Sequence, residues 1–553
     1  MAKEVGVILS EARTSSGICQ LFKEAENIVE EGMLVLVEAK KYRILGRIEE
    51  IIPFNEFFLP GDAWSEVRRE GLHVPLDVAR QYKVAKLEFL GVLTKKGLKE
   101  VVAPPEPSDK VLLIDIEKES EKIFGVRPGD SGYVWFGSIV GYQEAPVPLN
   151  VENITMHIGI FGTTGSGKSF DTGYLIELLS EIPYKDENWE GMLTIPTIIV
   201  DANGDYLDYV NYYIRNQEFG AFDKVYRFVF PNSRVLFQIN PKLGIVKKVT
   251  FNLDPFLPRE LAELIVTYYT GGLLNELQVA ALETVLKELI EVHEFTPTQI
   301  FLKYRRKLFE LIDTKVTEGE IHYQTATAVK RAINKFKDDV IDRNIISYEP
   351  ELSSEFIDDI TSNPSFVIID FSPDGAPETP LQIKQLVISY LTKLLYQKFT
   401  NYKTTGDERY LILAIEEAQN YCPNLSTYPI GYSLARENLA LIATQGRKFG
   451  ISLCLITQRP SFVDPIVLSM LNTFFIHRIS PEDISYVKKV TGGLPPSLER
   501  KLTTLGRGRV IISGQMNVLG FPLLVEVRRR KVSHTMGETK VCYNLARFFK
   551  NKP

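Results

Sequence analysis

The sequence predicts an α/β protein: a parallel-sheet core carrying a phosphate-binding loop, a helical subdomain inserted in that core, and a small β-barrel in front. Three observations carry this reading. From residue 151 onwards, apolar strand-like runs alternate with stretches of helical periodicity, the order that a parallel sheet requires. A glycine-rich loop, Gly162-x-x-x-x-Gly167-Lys168-Ser169, stands between one such run and a helix. Residues 1–145 break into short apolar or alternating runs separated by turn signals.

The barrel comes first. "EVGVILSEA", "MLVLVEA", "YRILGRIEEII", "AKLEFLGVL" and "KVLLIDI" are strand-like, and Gly and Pro clusters such as "PPEP" (104–107) and "RPGDSG" (127–132) punctuate them. Closure into a barrel removes the exposed edges that short strands leave. "YQEAPVPLN" (142–150) reads as the linker out of this domain. The core follows over 151–214 and 361–530, with strands expected in "HIGIFG", "TIPTIIVDANGDY", "FVIIDFS", "YLILAIEEA", "ISLCLITQ", "FFIHRIS" and "RVIISG". Such β-branched runs suit strands buried on both faces. Between them, residues 215–360 carry apolar residues at three- and four-residue spacing and read as the inserted helical subdomain. Residues 531–553 are left as a C-terminal tail.

A chain of 553 residues is long enough for several domains. Its 44% hydrophobic and 24% charged residues are ordinary for a soluble globular protein. The net charge of −6 and a pI near 5.8 exclude a global basic field. Cys19, Cys422, Cys454 and Cys542 form no CxxC pair, so neither a disulfide framework nor a zinc module is expected. The N-terminal residues lack a signal-peptide core, and no run approaches the roughly 18 apolar residues of a membrane span. The expectation is a cytoplasmic protein without membrane contact.

The chemistry lies in "HIGIFGTTGSGKSF" (157–170). Glycines let the backbone wrap a phosphate, so the N–H groups of Gly162, Thr163, Thr164, Gly165, Ser166 and Gly167 converge on it with the following helix N-terminus. Lys168 would reach the terminal phosphates of ATP, the Ser169 hydroxyl would sit on Mg²⁺, and Phe170 would close the nucleotide-binding run. A second acidic strand is needed, and "RYLILAIEEAQNY" delivers Glu416 and Glu417 at its carboxyl end, where open α/β sheets bind ligands. Glu416 takes the metal role and Glu417 the water-orienting one. Gln458 ends another strand and can sense the terminal phosphate. Asp201 either joins the metal and water network or simply forms the turn before Gly204. The basic runs "KYRRK" (303–307) and "KRAINKFK" (330–337) are either DNA-facing or solvated helix faces, and "VRRRKVSHTMGETK" is a third basic candidate.

Taken in order, "GIFGTTGSGKS", "IIVDANGDY", "FVIIDFS", "LILAIEEAQN", "GRKFGISLCLITQRP" and "LNTFFIHRIS" resemble the HerA branch of the HerA–FtsK P-loop ATPases. The resemblance covers about 151–530, and the N-terminal region is similar to that family's small barrel. It implies a RecA-like core in a homo-hexameric ring that hydrolyses ATP with Mg²⁺ to translocate or unwind double-stranded DNA. It further implies a NurA-type nuclease as partner, beside the Mre11–Rad50 machinery, in DNA end resection. Alternatives are a virus-packaging or conjugation-type DNA pump and an ATP-binding switch with little turnover. In such a ring a neighbour's arginine completes each site; Arg447 is the candidate, with Arg436 and Arg459 behind it. Two positions depart from the family pattern: Gln419 stands where His is frequent, and Asp205 where Glu is frequent. The expectation is that both bear on partner contacts more than on hydrolysis.

Overall fold

A computed structural model describes residues 3–94, 97–239, 243–273, 275–428, 433–527 and 529–534. Cys542 and most of the expected tail lie outside the described residues. The chain divides into two compact units, residues 1–153, 183–191 and 473–528, and residues 154–182, 192–472 and 529–553.

The first unit contains the barrel. Strands β1 (Glu4–Ile8), β2 (Ser16–Leu21), β3 (Leu34–Glu38), β4 (Arg43–Asn55), β5 (Gln81–Thr94), β6 (Gly97–Lys99) and β7 (Lys110–Leu112) run in the order β2-β1-β7-β3-β4-β5-β6. A pairing of β2 with β5, Ser16 opposite Glu88 to Gln20 opposite Val84, closes six of them on themselves. Inward residues alternate along each strand: Val5, Cys19, Leu21, Val35, Val37, Ile44, Ile48, Ala85, Leu87 and Val111 form one buried core. The same unit holds an antiparallel set made by Thr473–Ile476, Arg509–Gly514, Leu523–Glu526 and Ser138–Ile139.

The second unit is built on a parallel sheet. Its strands are β8 (Ile158–Phe161), β9 (Thr197–Asp201), β10 (Val225–Val229), β11 (Val246–Lys248), β12 (Phe366–Asp370), β13 (Leu411–Ile415) and β14 (Ile451–Thr457). They lie in the order β11-β10-β12-β9-β13-β14-β8, every neighbour parallel. β8, β9, β10, β12, β13 and β14 are buried at every residue, as expected for strands covered on both faces. Two of these strands, β10 and β11, fall inside 215–360, the stretch read from the sequence as helical. They are five and three residues long and sit among long helices, so helical periodicity masks them. The rest of that stretch is helical, with α3 (Pro258–Thr270), α4 (Glu276–Glu291) and α7 (Tyr323–Phe336) among its members; here α1 is Lys168–Leu179 and α2 is Leu207–Asn216, while α5 and α6 are Pro297–Leu302 and Arg305–Thr317. Among the described residues no helix is long and apolar enough to cross a membrane.

Burial in this sheet demands charge pairing. Arg227 on β10 donates from Nε (2.9 Å) and from a terminal nitrogen (2.6 Å) to Oδ2 of Asp370, which ends β12 and has no exposure. Removing one partner strands a buried charge, at a cost of about 3–5 kcal/mol. Asp370→Ala should therefore lower the denaturation midpoint markedly, whereas Arg306→Ala, which breaks an exposed pair with Glu310, should barely move it.

Candidate active site

The loop after β8 obeys backbone sterics. Gly165 has φ +72° and Gly167, the residue before α1, has φ +111°, conformations that L side chains avoid. The helix then starts at Lys168, so its free N–H groups open onto the loop. Lys168 Nζ donates to the carbonyls of Gly162 (2.6 Å) and Thr163 (3.1 Å). Burial pulls its amine below the usual lysine range, while Glu417, Glu416 and Asp205 act in the other direction.

Ser169 faces acids. Its hydroxyl donates to Oδ2 of Asp205 (2.7 Å) and lies 3.3 Å from Oε1 of Glu416. Glu416, the first residue after β13, is 4% exposed and also accepts from the Tyr206 hydroxyl (3.0 Å) and the Ala202 N–H (3.3 Å). Burial, and then the facing carboxylates of Asp201 and Asp205, push its carboxyl well above the usual range. A hydroxyl beside two carboxylates is an all-oxygen set of the kind Mg²⁺ takes when substrate phosphates and water complete its shell. The residues present fit that ion.

Asp201 forms the turn. Fully buried at the end of β9, it accepts backbone N–H groups from Asn203, Gly204 and Asp205 at one oxygen and from Tyr206 at the other. Burial, partly offset by these bonds, raises its carboxyl to about 7. Its work is to hold the turn that aims Asp205 at Ser169. Asp205 therefore stands beside the nucleotide loop.

Glu417 is joined to the loop by side-chain amides. Its backbone adopts φ +48°, ψ +47°, a left-handed conformation unusual for a residue with a side chain. Its Oε1 accepts from Gln458 Nε2 (2.6 Å) and its Oε2 from Gln419 Nε2 (2.6 Å). Gln458 in turn accepts from the Thr164 hydroxyl (2.5 Å). The structure thus brings Glu416, Glu417 and Gln458 to the loop, as expected from strand ends. Gln419 and Asp205 join them; the sequence marked both positions only as departures from a pattern.

The candidate arginines separate. Arg436 is tied to Asp464, with Nε at 2.8 Å and a terminal nitrogen at 2.7 Å. Arg459 lies over the Phe462 ring, 4.5 Å from its centroid, next to Gln458. Arg447 is exposed in the last turn of the helix Leu434–Phe449 that precedes β14, and among the described residues it makes no ion pair. Gln458 follows the far end of β14, so Arg447 stands roughly 20 Å from the site of its own chain. It sits by the opposite sheet edge, close enough to His157 to add to the burial that holds that imidazole near 4.

In the basic helical runs Arg306 pairs with Glu310, Lys330 with Asp313 and Lys337 with Asp338 and Asp342, while Lys307 contacts His293. Residues 529–534 of the third candidate return to α1. Backbone N–H groups of Lys531 and Val532 donate to Glu177, and the buried Arg530 guanidinium lies over the Phe170 and Tyr209 rings.

The chain is similar to several known proteins. The family described as "Helicase HerA, central domain" matches residues 134–395. The DNA double-strand break repair helicase HerA of Sulfurisphaera tokodaii is 24% identical over 534 residues, covering 95% of this chain and 92% of the relative. A probable helicase of Methanocaldococcus jannaschii is 24% identical over 535 residues, with 95% and 90% covered. Among solved structures, VirB4 of Thermoanaerobacter pseudethanolicus superposes with a TM-score of 0.49 at 13% identity, covering 74% of this chain and 98% of that one. With its phosphate loop and its acidic strand end, the chain is an ATP-hydrolysing enzyme similar along nearly its whole length to HerA-type P-loop ATPases.

Proposed function

We propose that this protein is an ATP-driven double-stranded DNA translocase or helicase of double-strand break repair, working as a homo-hexameric ring. In the same reading it acts with a NurA-type nuclease, beside Mre11–Rad50, in DNA end resection. The observation that carries it is the near full-length match to repair helicases combined with the gathering of Ser169, Asp205, Glu416, Glu417 and Gln458 at one sheet edge. Loop N–H groups and Lys168 hold the phosphates of ATP. Bound Mg²⁺, held by Ser169 with Glu416 and Asp205, would neutralise charge on those phosphates. Glu417 orients the attacking water and accepts its proton, and Gln458 links that group to Thr164 in the loop. A head-to-tail ring places a neighbour's Arg447 where the chain's own cannot reach.

Steady-state ATP turnover with and without blunt duplex DNA tests the reading, repeated with a candidate nuclease. Duplex DNA should raise turnover, and its binding should weaken with salt without regard to sequence. Turnover indifferent to duplex DNA would overturn the translocase assignment in favour of a switch.

A further inference from the structure

The roles above leave Gln419 without one, although it is 8% exposed and sits two residues beyond Glu417. Its amide orientation is fixed by its neighbours. Gln419 Nε2 lies 2.6 Å from Oε2 of Glu417, and Oε1 accepts from the Thr457 hydroxyl at 2.7 Å. Turning the amide over would set two oxygens against each other at that distance. Thr457 Oγ1 meanwhile accepts the backbone N–H of Arg459 (3.1 Å). A one-way chain of donors therefore runs from Arg459 through Thr457 and Gln419 to one oxygen of Glu417. From the other side, Thr164 donates to Gln458 and Gln458 to the remaining oxygen.

We infer that Gln419 is a positioning residue for ATP hydrolysis: paired with Gln458, it fixes the plane of the Glu417 carboxylate. This rests on Glu417 being the water-orienting group. Two amides on opposite oxygens leave the carboxylate little rotational freedom, although Glu417 stands two residues past the strand end in a left-handed backbone conformation. The same pair couples it to the phosphate loop through Thr164 and to the segment carrying Arg459 through Thr457. A side chain at 419 that serves only as packing would be replaceable by an apolar one of the same shape. A relay needs one acceptor facing Thr457 and one donor facing Glu417, which a neutral imidazole also offers.

The test uses the full-length protein and compares Glu417→Gln, Gln419→Met and Gln419→His. kcat, KM for ATP, affinity for a fluorescent ATP analogue and the thermal midpoint are measured for each. Misplacing a catalytic group by an ångström or so costs up to about 10²-fold. Gln419→Met should lower kcat by about tenfold to 10²-fold while analogue affinity stays within about twofold of native. Gln419→His should restore most of that loss. Native kcat in Gln419→Met overturns the inference, as does a loss matched by equal weakening of analogue binding or unrelieved by histidine. Native turnover in Glu417→Gln instead removes the assignment beneath it; an inactive Glu417→Gln beside a native Gln419→Met leaves that assignment standing and discards Gln419 alone.

Discussion

Glu417→Gln should bind ATP with near-native affinity and turn it over about 10²- to 10⁴-fold more slowly, the range expected when a general base is lost. The geometry separates these two effects. Lys168 and Ser169 contact Gly162, Thr163, Asp205 and Glu416, and neither has a hydrogen bond to Glu417. Phosphate and metal binding should therefore survive the substitution. Glu417 is hydrogen-bonded to the loop through Gln458 and Thr164 and acts on Lys168 through its charge alone. An amide at 417 keeps the shape but cannot accept a proton, and it turns one of its two accepting oxygens into a donor facing another donor. Binding of a fluorescent ATP analogue, measured beside steady-state turnover, checks the split. Undiminished turnover would remove Glu417 from the chemical step.

The parts of this site that the sequence discloses are those set by local rules. Gly165 and Gly167 announce a loop because only glycine takes their backbone conformations freely, and Lys168 and Ser169 follow at fixed spacing. Glu416, Glu417 and Gln458 are legible because buried parallel strands are continuous apolar runs, so their carboxyl ends can be read off the chain. What stays hidden depends on partners distant in sequence. The Gln419 contact with Thr457 spans 38 positions and that of Ser169 with Asp205 spans 36. Arg227 and Asp370 are 143 positions apart, and nothing in either strand's pattern marks them as a pair. The barrel strands were visible as alternation, but its closure is a tertiary pairing of β2 with β5. β10 and β11 stay hidden because three to five residues cannot outweigh the helical periodicity around them. The two positions that depart from the pattern, 205 and 419, hydrogen-bond to Ser169 and Glu417, and one polar residue in place of another preserves hydrogen-bonding capacity.

Arg447→Ala should lower ATP turnover by about 10³- to 10⁵-fold, the effect of losing an arginine that stabilises charge on the transferred phosphoryl group. Its own chain cannot supply that effect, because β14 separates Arg447 from Gln458. The loss must arise at a junction between subunits, and that makes it reparable by mixing. Lys168→Ala spoils the loop but keeps the arginine; Arg447→Ala does the reverse. In a head-to-tail ring assembled from equal amounts of the two, about a quarter of the junctions pair an intact loop with an intact arginine. Turnover should then recover to about that fraction of native if junctions act independently. Arg459→Ala, mixed in the same way, separates the candidates: recovery with Arg459→Ala and native turnover in Arg447→Ala alone would move the role to the residue beside Gln458. Arg436 is the weakest of the three, because its guanidinium already holds Asp464, whose carboxylate caps the helix Pro465–Ser469 by accepting from Ile466 and Val467. Releasing it to serve a neighbour would undo that cap, so Arg436→Ala should show itself first as lost stability.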